Sequence, residues 1–482
     1  MSAIAKVKEW LGAGNPPPRE SEPDTLARRQ GARLIRARHD AAQSTDSTAK
    51  HWAVADSLAA DADLSPAVRK LLRNRARHET QNNSYAAGII ATLANDTIGP
   101  GPSLQVDHAR ADQIERAWRE WATSHQFAQR LWTMRATRAV DGEAFAVLIP
   151  DAQPNDGVSL DLRLIDAERV TAGLVNYVTP ASDSDVDGVG LDAAGRPVRY
   201  RVLREHPGNY ATSFEADLVP ASRMLHLFLA RRPEQHRGTP EIEPALNLFA
   251  QLRRYTAAVL DSAETCANIA AVMTMPGGIN EATTVYTPGD SLEVERNSIM
   301  AMAAGYEVHQ LRPEQPSTTY ADFKSQLINE IARCLSMPFN IAAGNSSGYN
   351  YASSRMDHQM YFQSIAVDQA TQWAPLACDK VFGEWWDQYR LTDRALMIDP
   401  PPPHRWDWKK PAHVDPTKES RAASERLKNG SSSPQREAAA LGYDWEDVLQ
   451  ERLVHEARER ELRQSLGLPA TEDPANGEDR KS

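Results

Sequence analysis

Apolar positions along this chain repeat at two different spacings. Around residues 110–138, and again from residue 242 onwards, they recur every three or four positions, as on one face of a helix. Short apolar segments bounded by polar turns lie between these stretches, at residues 143–149, 160–165, 198–203 and 224–228. The pattern predicts an α+β body whose strands form an antiparallel sheet.

One of the predicted helices is unusually long. Its apolar positions recur at three, four and seven: Ile242, Leu246, Phe249, Leu252 and Val259. The helix is expected to start at Gly238, and its regular part to begin near Pro244, because proline is tolerated only near a first turn. The whole helix is expected to end near Ala267, a length of at most about 42 Å. Because this exceeds a small core, we expect part of the helix to pack on neighbours, including copies of the same chain.

A helix, a polar loop and a second helix follow further along. Phe323, Leu327, Ile331 and Leu335 form one apolar stripe, and Pro338 is expected to end that helix. Residues 342–351 are polar and glycine-spaced, and Ser353 and Ser354 are expected to cap the next helix, which continues through Trp373. An ordinary surface loop between two core helices is the alternative interpretation.

Length and composition limit the class of protein. A chain of 482 residues predicts more than one packed region, and 41% apolar residues fits a globular protein. No apolar run approaches the length that spans a bilayer, and we expect no signal peptide, so the protein is predicted to be made in the cytoplasm. The net charge of −11 argues against a DNA-coating protein. The odd, isolated cysteines predict buried free thiols.

Candidate chemistry is sparse. No P-loop or zincin motif is present, and residues 344–348 resemble a nucleophile loop only superficially, since no strand precedes them and no histidine base is identifiable. Asp141-Gly142-Glu143 is interpreted as a turn, and His226 as a core or sheet histidine. A basic series is interpreted as a solvated helix face that could alternatively touch nucleic acid: Arg69, Lys70, Arg73, Arg75 and Arg77.

Several segments together resemble the lambda family of bacteriophage portal proteins. Residues 331–340 and 350–355 resemble its "LGVPY" and "NYSSAR" motifs, residues 75–101 resemble "RxRxxxxNNxYAxG…IGPG", and residues 141–145 match "DGEAF". The segment "DPxKE" at residues 415–419 resembles the family's ending, whereas the N-terminal "YDAA…W" motif is matched with His39 in place of tyrosine. The matches occur in the family's order over residues 36–467.

The resemblance implies a portal-type subunit: an α/β wing, a long helical stem, a small clip and a mainly helical C-terminal crown, assembled as a ring. The expected regions are a flexible arm at 1–33, a wing at 34–237 and 305–399, a stem helix at 238–267, a clip at 268–290, a returning stem helix at 291–304, a crown at 400–470 and a disordered tail at 471–482.

The resemblance also implies the site. Residues 342–352 would form a tunnel loop whose DNA-facing side chains are Asn345, Ser346, Ser347, Tyr349, Asn350 and Tyr351. The apolar residues of the long helix would form the intersubunit stem. No catalytic residue, cofactor or metal is predicted.

Implied partners are other copies of the same protein in a dodecamer, double-stranded DNA bound without sequence specificity, the terminase large subunit, the major capsid and scaffold proteins, and a head-tail adaptor. The protein would be found in the virion at the capsid portal vertex. The alternatives are a capsid-processing enzyme, such as a protease or nuclease, and a regulatory DNA binder.

Overall fold

The computed structural model describes residues 50, 53–151, 157–172, 185–209, 215–268, 272–274, 307–309, 320–393, 396, 401–409 and 416–466. The chain divides into two compact units, residues 1–59 and 60–482. In the first unit, the backbone amide of Leu58 donates to the carboxylate of Asp56 over 3.1 Å.

Helices form most of the second unit. After a short helical turn at Ala60–Asp63, the helices of the N-terminal half are α1 Pro66–Asn82, α2 Ser84–Thr97, α3 Ala111–Ser124, α4 Phe127–Asp141 and α5 Leu246–Asn268. Those that follow are α6 Tyr320–Arg333, α7 Phe339–Ala343, α8 Tyr351–Asp368, α9 Asp379–Tyr389, α10 Pro416–Lys428, α11 Pro434–Leu441 and α12 Trp445–Ser465.

All the strand pairs of the described residues are antiparallel. The strands are β1 Ser103–Val106, β2 Glu143–Ile149, β3 Asp161–Ile165, β4 Asp185–Val186, β5 Val189–Leu191, β6 Pro197–Leu203, β7 Ala216–Pro220, β8 Met224–Phe228, β9 Val272–Thr274, β10 Glu307–His309 and β11 His404–Asp407. They form sheets in the orders β3-β2-β8 and β4-β5-β6-β7 and the pairs β1-β11 and β9-β10. The predicted mixture of helices and antiparallel strands is confirmed.

Strand β2 is the centre of the body. Six of its seven residues are buried, because both faces of the strand are covered. Ala144, Ala146 and Leu148 face a core built with α3, α4 and α9, whereas Phe145 and Val147 face a second core built with β5 and β6. This explains why the segment reads as an unbroken apolar run rather than an alternating one.

A third core joins the helices around α5. It contains buried side chains from α1, α2, α5, α6, α7 and α8. Helix α5 begins at Leu246, directly after a single 3₁₀ turn at Glu243–Ala245 that holds Pro244. The regular part therefore starts close to Pro244, as expected, and later than Gly238, where the predicted stem region begins. The ring of Pro244 occupies a position in which a missing amide costs little. The predicted end near Ala267 is confirmed by the last helical residue, Asn268.

One long helical rod follows the polar loop. Helix α8 continues without interruption into a π-helical segment, Gln369–Cys378, and then into α9. Trp373, Trp385 and Trp386 are fully buried and Tyr389 is nearly so, and all four belong to the core around β2. Cys378 is also a buried free thiol, whereas Cys334 is a half-buried one.

The four prolines at residues 400–403 do not mark the edge of the body. Strand β11 follows it directly and pairs with β1, with Ser103 opposite Asp407 and Val106 opposite His404. Trp406 packs against the core around β2. The predicted crown, which starts at residue 400, therefore includes a strand that belongs to the body. The returning stem helix at 291–304 and the tail at 471–482 lie outside the described residues.

No helix among the described residues is both long and apolar enough to cross a membrane.

Candidate functional site

The polar loop of the sequence is a short turn between two helix ends. Helix α7 ends at Ala343 and is followed by Gly344, which adopts the left-handed conformation at φ 61° that glycine tolerates best. The amide of Asn345 then donates to the carbonyl of Asn340 over 3.1 Å. The loop therefore comprises residues 344–350, shorter than the predicted 342–352, because Ala342 and Ala343 belong to α7 and Tyr351 to α8.

Hydrogen bonds within the loop give it a defined shape. The amide of Ser347 donates to the side chain of Asn345 over 3.0 Å, and the amide of Tyr349 donates to the carbonyl of Ser346 over 3.1 Å. Asn345, Ser346, Ser347 and Asn350 are exposed, whereas Tyr349 is half-buried. The side chain of Tyr351 lies outside the described part of the structure. The result is a neutral turn that presents amide and hydroxyl groups.

Asn350 starts the second helix. Its side chain accepts the amide of Ser353 over 2.9 Å, and the hydroxyl of Ser353 donates to the carbonyl of Asn350 over 3.2 Å. The predicted capping role of Ser353 and Ser354 is therefore wrong by one helical turn, because Asn350 precedes both serines and its side chain accepts the amide of Ser353. Of the predicted DNA-facing residues, Asn350 is thus also a structural residue.

A buried amide supports the loop from below. Asn340, 3% exposed, lies 3.4 Å from the hydroxyl of Ser354 and 3.3 Å from Nε2 of His358 through its Nδ2 atom. These contacts connect α7 with α8 on either side of the loop. Burial raises the pKa of the Tyr349 phenol above its usual value.

A buried group of charges lies beneath β2, in a different part of the body. We call it the Glu143 ion cluster; its members are Arg73, Glu143, His226 and Arg237. Arg237 donates to the two carboxylate oxygens of Glu143 over 2.8 and 2.6 Å, and Arg73 donates over 3.1 Å. His226 Nε2 lies 3.3 Å from the same carboxylate. Each residue of the cluster comes from a different element, so it joins α1, β2, β8 and the segment before α5.

The charges of this cluster fix its protonation. Burial alone would raise the pKa of Glu143, but Arg237 and His226 outweigh burial and hold it well below its usual value. Burial lowers the pKa of His226, so the imidazole stays neutral. His226 also stacks on Phe145, with ring centres 4.2 Å apart. His226 is a sheet histidine, as predicted, but its pairing with Glu143 is not evident from the sequence.

A second buried group connects α4 to the end of α8. We call it the Glu241 ion cluster; its members are Arg135, Arg138, Glu241 and Asp368. Arg135 and Arg138 both donate to Glu241, at distances of 3.1 and 2.7 Å, and Arg138 also binds both oxygens of Asp368 at 2.9 and 2.8 Å. The two arginines lower the pKa of Glu241 to about 2 despite its burial. The cluster fixes the point at which α8 passes into the π-helical segment.

Two arginines of the basic series on α1 are buried and a third, Arg77, is half-buried. Arg69 and Arg73 are 2% and 4% exposed, and Arg69 is paired with Asp187. Arg77 binds both carboxylate oxygens of Asp141 over 2.7 and 2.6 Å. The interpretation as a solvated face is therefore wrong for these three arginines, while Lys70 and Arg75 are exposed. The spacing of four that puts the three on one helix face was the available signal.

The predicted stem residues lie mainly inside the subunit's own core. Ile242, Leu246, Phe249 and Leu252 are at most 7% exposed and pack against α1, α2 and α6, whereas Val259 is half-buried. Side chains covered in this way do not face a neighbouring copy. The intersubunit role of the long helix stays a prediction, and it falls to the part beyond Leu252.

Within the described ranges, no group of three or more histidine, cysteine, aspartate or glutamate side chains could hold a metal ion. The predicted absence of a cofactor and of catalytic residues stays a prediction.

The described residues define a mixed helix-and-sheet protein that presents a short, neutral, polar loop between two helices. The sequence model of the lambda family of phage portal proteins matches residues 45–369, about two-thirds of the chain. The chain therefore belongs to this family.

Individual relatives have low sequence identity to this chain. A protein named "Probable portal protein" from Halomonas phage phiHAP-1 is 24% identical in an alignment of 425 residues that covers 78% of this chain and 78% of that protein. Among solved structures, a chain in the neck of a native GTA particle is 13% identical with a TM-score of 0.44, covering 76% of this chain and 92% of that one. A chain in the virion of a native gene transfer agent particle is 14% identical with a TM-score of 0.46, covering 77% and 93%.

Proposed function

We propose that this phage portal protein assembles as a ring, expected to hold twelve copies, at one vertex of the capsid, and that the ring is the channel for genome packaging and ejection. Membership of the portal family carries this proposal. The partners expected with that role are the terminase large subunit, the major capsid and scaffold proteins, and a head-tail adaptor. Assembly would take place in the host cytoplasm.

The chemistry of residues 344–350 suits the channel wall. The segment carries no charged side chain, and its exposed groups are amides and hydroxyls. Contacts from such groups to phosphate oxygens are weak and carry no base-sequence information, whereas a ring of lysines would hold the duplex at fixed positions. Repetition around a ring multiplies weak contacts without making any single one slow to break. We therefore assign the DNA-facing role to this loop.

The assembly is tested by mass and shape. Purified protein should form particles of roughly 640 kDa, twelve times the 53.4 kDa of one chain, measured by light scattering after size exclusion. Electron micrographs should show a central opening. A compact monomer under all assembly conditions would contradict the proposal, and turnover of peptide or DNA by a monomer would favour the alternative of a capsid-processing enzyme.

The loop is tested by charge. The change Ser346→Asp with Ser347→Asp should leave ring formation intact and reduce DNA packaging or retention, because carboxylates repel phosphates. The matched control is Ser431→Asp with Ser432→Asp, in a turn where the amide of Ser431 likewise donates to Asn429 over 3.0 Å. Equal packaging by both double variants would refute the loop's role without affecting the ring assignment.

A further inference from the structure

One side of α8 is covered by the body of the protein and the opposite side is open. Tyr361 and Ile365 are buried in the core around α5. On the open side, Met356, Met360 and Val367 are 67%, 66% and 56% exposed. Large apolar side chains that gather on one exposed face of a protein mark an interaction surface.

These residues follow the spacing of a helix-packing seam. Met356, Met360, Gln363 and Val367 are separated by steps of four, three and four, so they lie along one line of α8. We call these four residues the α8 open face. Methionine side chains are flexible and polarisable, which suits a surface that packs on another protein surface.

Charge is nearly absent from this side of the helix. Among the described exposed side chains between residues 352 and 376, only that of Arg355 is charged. The exposed end of α12 differs, because all four residues at 458–461 are charged. DNA or a strongly charged peptide would therefore find little to bind on the α8 open face. A second copy of this chain, whose own net charge is −11, fits an uncharged surface, because exposed carboxylates there would repel it.

The position of α8 next to the loop also favours a second copy. The helix begins at Tyr351, directly after residues 344–350, and Met356 lies within two helical turns of that start. If the starts of the twelve expected α8 helices are spaced as packed helices are, about 8–10 Å apart, they lie on a circle about 31–38 Å across. One helix is about 10 Å wide, which leaves an opening of about 21–28 Å, enough for a DNA duplex. Loops that encircle DNA thus bring each α8 into reach of the adjacent subunit.

We propose that the α8 open face is a contact surface between neighbouring subunits and that a second copy of this chain covers it. This role depends on the proposed ring assembly. It is separate from the interface predicted on α5, which falls beyond Leu252. Each subunit would bury its own Met356, Met360 and Val367 against the next subunit, so the contact would hold the helix directly behind the DNA-facing loop.

Oxidation of the native methionines tests the contact without any substitution. Hydrogen peroxide converts an accessible methionine to its sulfoxide, which mass spectrometry of the purified ring locates. Met356 and Met360 should oxidise about ten-fold more slowly, or slower still, than methionine in a short unstructured peptide. Met134, which is 1% exposed, gives the rate of a methionine buried within the subunit. Rates for Met356 and Met360 close to that of the peptide would overturn the proposal.

A charge on the same face tests its contribution to assembly. Val367→Asp should leave the circular dichroism and the unfolding midpoint unchanged, because Val367 is open within the subunit. It should raise the protein concentration at which rings dissociate by about ten-fold or more, since it places a carboxylate in the contact. Val454→Asp, at a position 60% exposed on α12, is the matched control and should assemble as the unmodified protein does. Rings of Val367→Asp as stable as those of Val454→Asp would count against the α8 contact.

The ring assembly and the α8 contact fail in different ways. An unmodified protein that stays monomeric contradicts the ring itself. Intact rings with freely oxidised Met356 and Met360 contradict only the contact.

Discussion

Arg237 places two of its nitrogen atoms 2.8 and 2.6 Å from the two carboxylate oxygens of Glu143, and both side chains are at most 1% exposed. The two residues lie 94 positions apart in the chain. This paired geometry is the strongest form of a guanidinium–carboxylate contact, and it closes the segment before α5 onto the central strand.

Removing one partner of this pair should destabilise the subunit strongly. Arg237→Ala leaves the Glu143 carboxylate buried with fewer partners, for which we expect a loss of about 3–5 kcal/mol in unfolding free energy. Chemical denaturation followed by tryptophan fluorescence measures it. Arg204→Ala is the control, because Arg204 pairs with Glu215 and Asp217 at the surface and its loss should change stability little. Comparable effects of the two variants would contradict the importance of the cluster.

Gly142 and Gly238 bring the start of β2 and the segment before α5 into backbone contact. A Cβ atom on Gly142, whose φ is +91°, would lie 2.2 Å from a backbone carbon of Thr239. Gly142→Ala should therefore cost about 3 kcal/mol or more, from overlap and backbone strain together. Gly348→Ala is the matched control, since nothing lies within 4 Å of its Cβ position. Thermal unfolding midpoints of the two variants provide the measurement, and a stable Gly142→Ala protein would refute the close approach.

The local elements could be predicted from the sequence, but the charged centre could not. The apolar spacing predicted α3, α4, β2, β8 and the long α5, because burial of one face leaves a period in the sequence. Glu143 was interpreted as part of a turn because its partners, Arg73 and Arg237, are 70 and 94 positions away and local composition does not reveal them. A buried ion pair and a solvated one consist of the same residue types, so the sequence does not distinguish them.

For the candidate loop, too, the local structure could be predicted from the sequence and the partners selected by the fold could not. Its polarity and glycine content predicted an exposed turn, which the structure confirms for residues 344–350. The start of α8 was placed too late, because Asn350, Ser353 and Ser354 are all good capping residues and only the fold selects among them. The apolar face of the long helix α5 was predicted to pack on a neighbouring copy, because periodicity identifies a buried face without identifying what covers it.

The cap of α8 gives a prediction for the loop. Asn350→Ala removes the acceptor for the amide of Ser353 and should destabilise the first turn of α8 by about 1 kcal/mol. Asn350→Ser, which can still cap, should restore protection of residues 352–354 in amide exchange. If packaging falls in both variants while protection recovers only in the second, the side chain of Asn350 has a role beyond the cap. Unchanged protection in Asn350→Ala would contradict the capping assignment.

Acid should destabilise the body through the Glu241 ion cluster. The folded-state pKa of Glu241, about 2, is below its usual 4.5, so its contribution is fully present above pH 4.5 and is lost as the pH falls towards 2. The unfolding free energy of the whole protein should therefore drop between pH 4.5 and pH 2. Denaturation curves across that range test it, and a flat profile would contradict the ionised state of Glu241.

Substitutions at two positions of the long helix α5 distinguish a folding defect from an assembly defect. Leu252→Asp places a charge at a position that is 2% exposed, so the subunit itself should misfold, and loss of rings would say nothing about the stem. Leu260→Asp, at a position 64% exposed, should leave circular dichroism and the unfolding midpoint unchanged. If the stem packs on neighbours, Leu260→Asp rings should dissociate more readily in light scattering. A folded Leu252→Asp protein would contradict the burial of α5.

The pairing of β11 with β1 changes what a C-terminal truncation would do. A protein cut within the prolines that precede His404 would lose the partner of residues 103–106 together with the helices, leaving four backbone positions of β1 without their ladder. Bare strand edges recruit other polypeptides, so such a fragment would be prone to aggregate rather than behave as a trimmed ring subunit. The natural place to shorten this protein is therefore after Asp407, where the sheet edge remains covered.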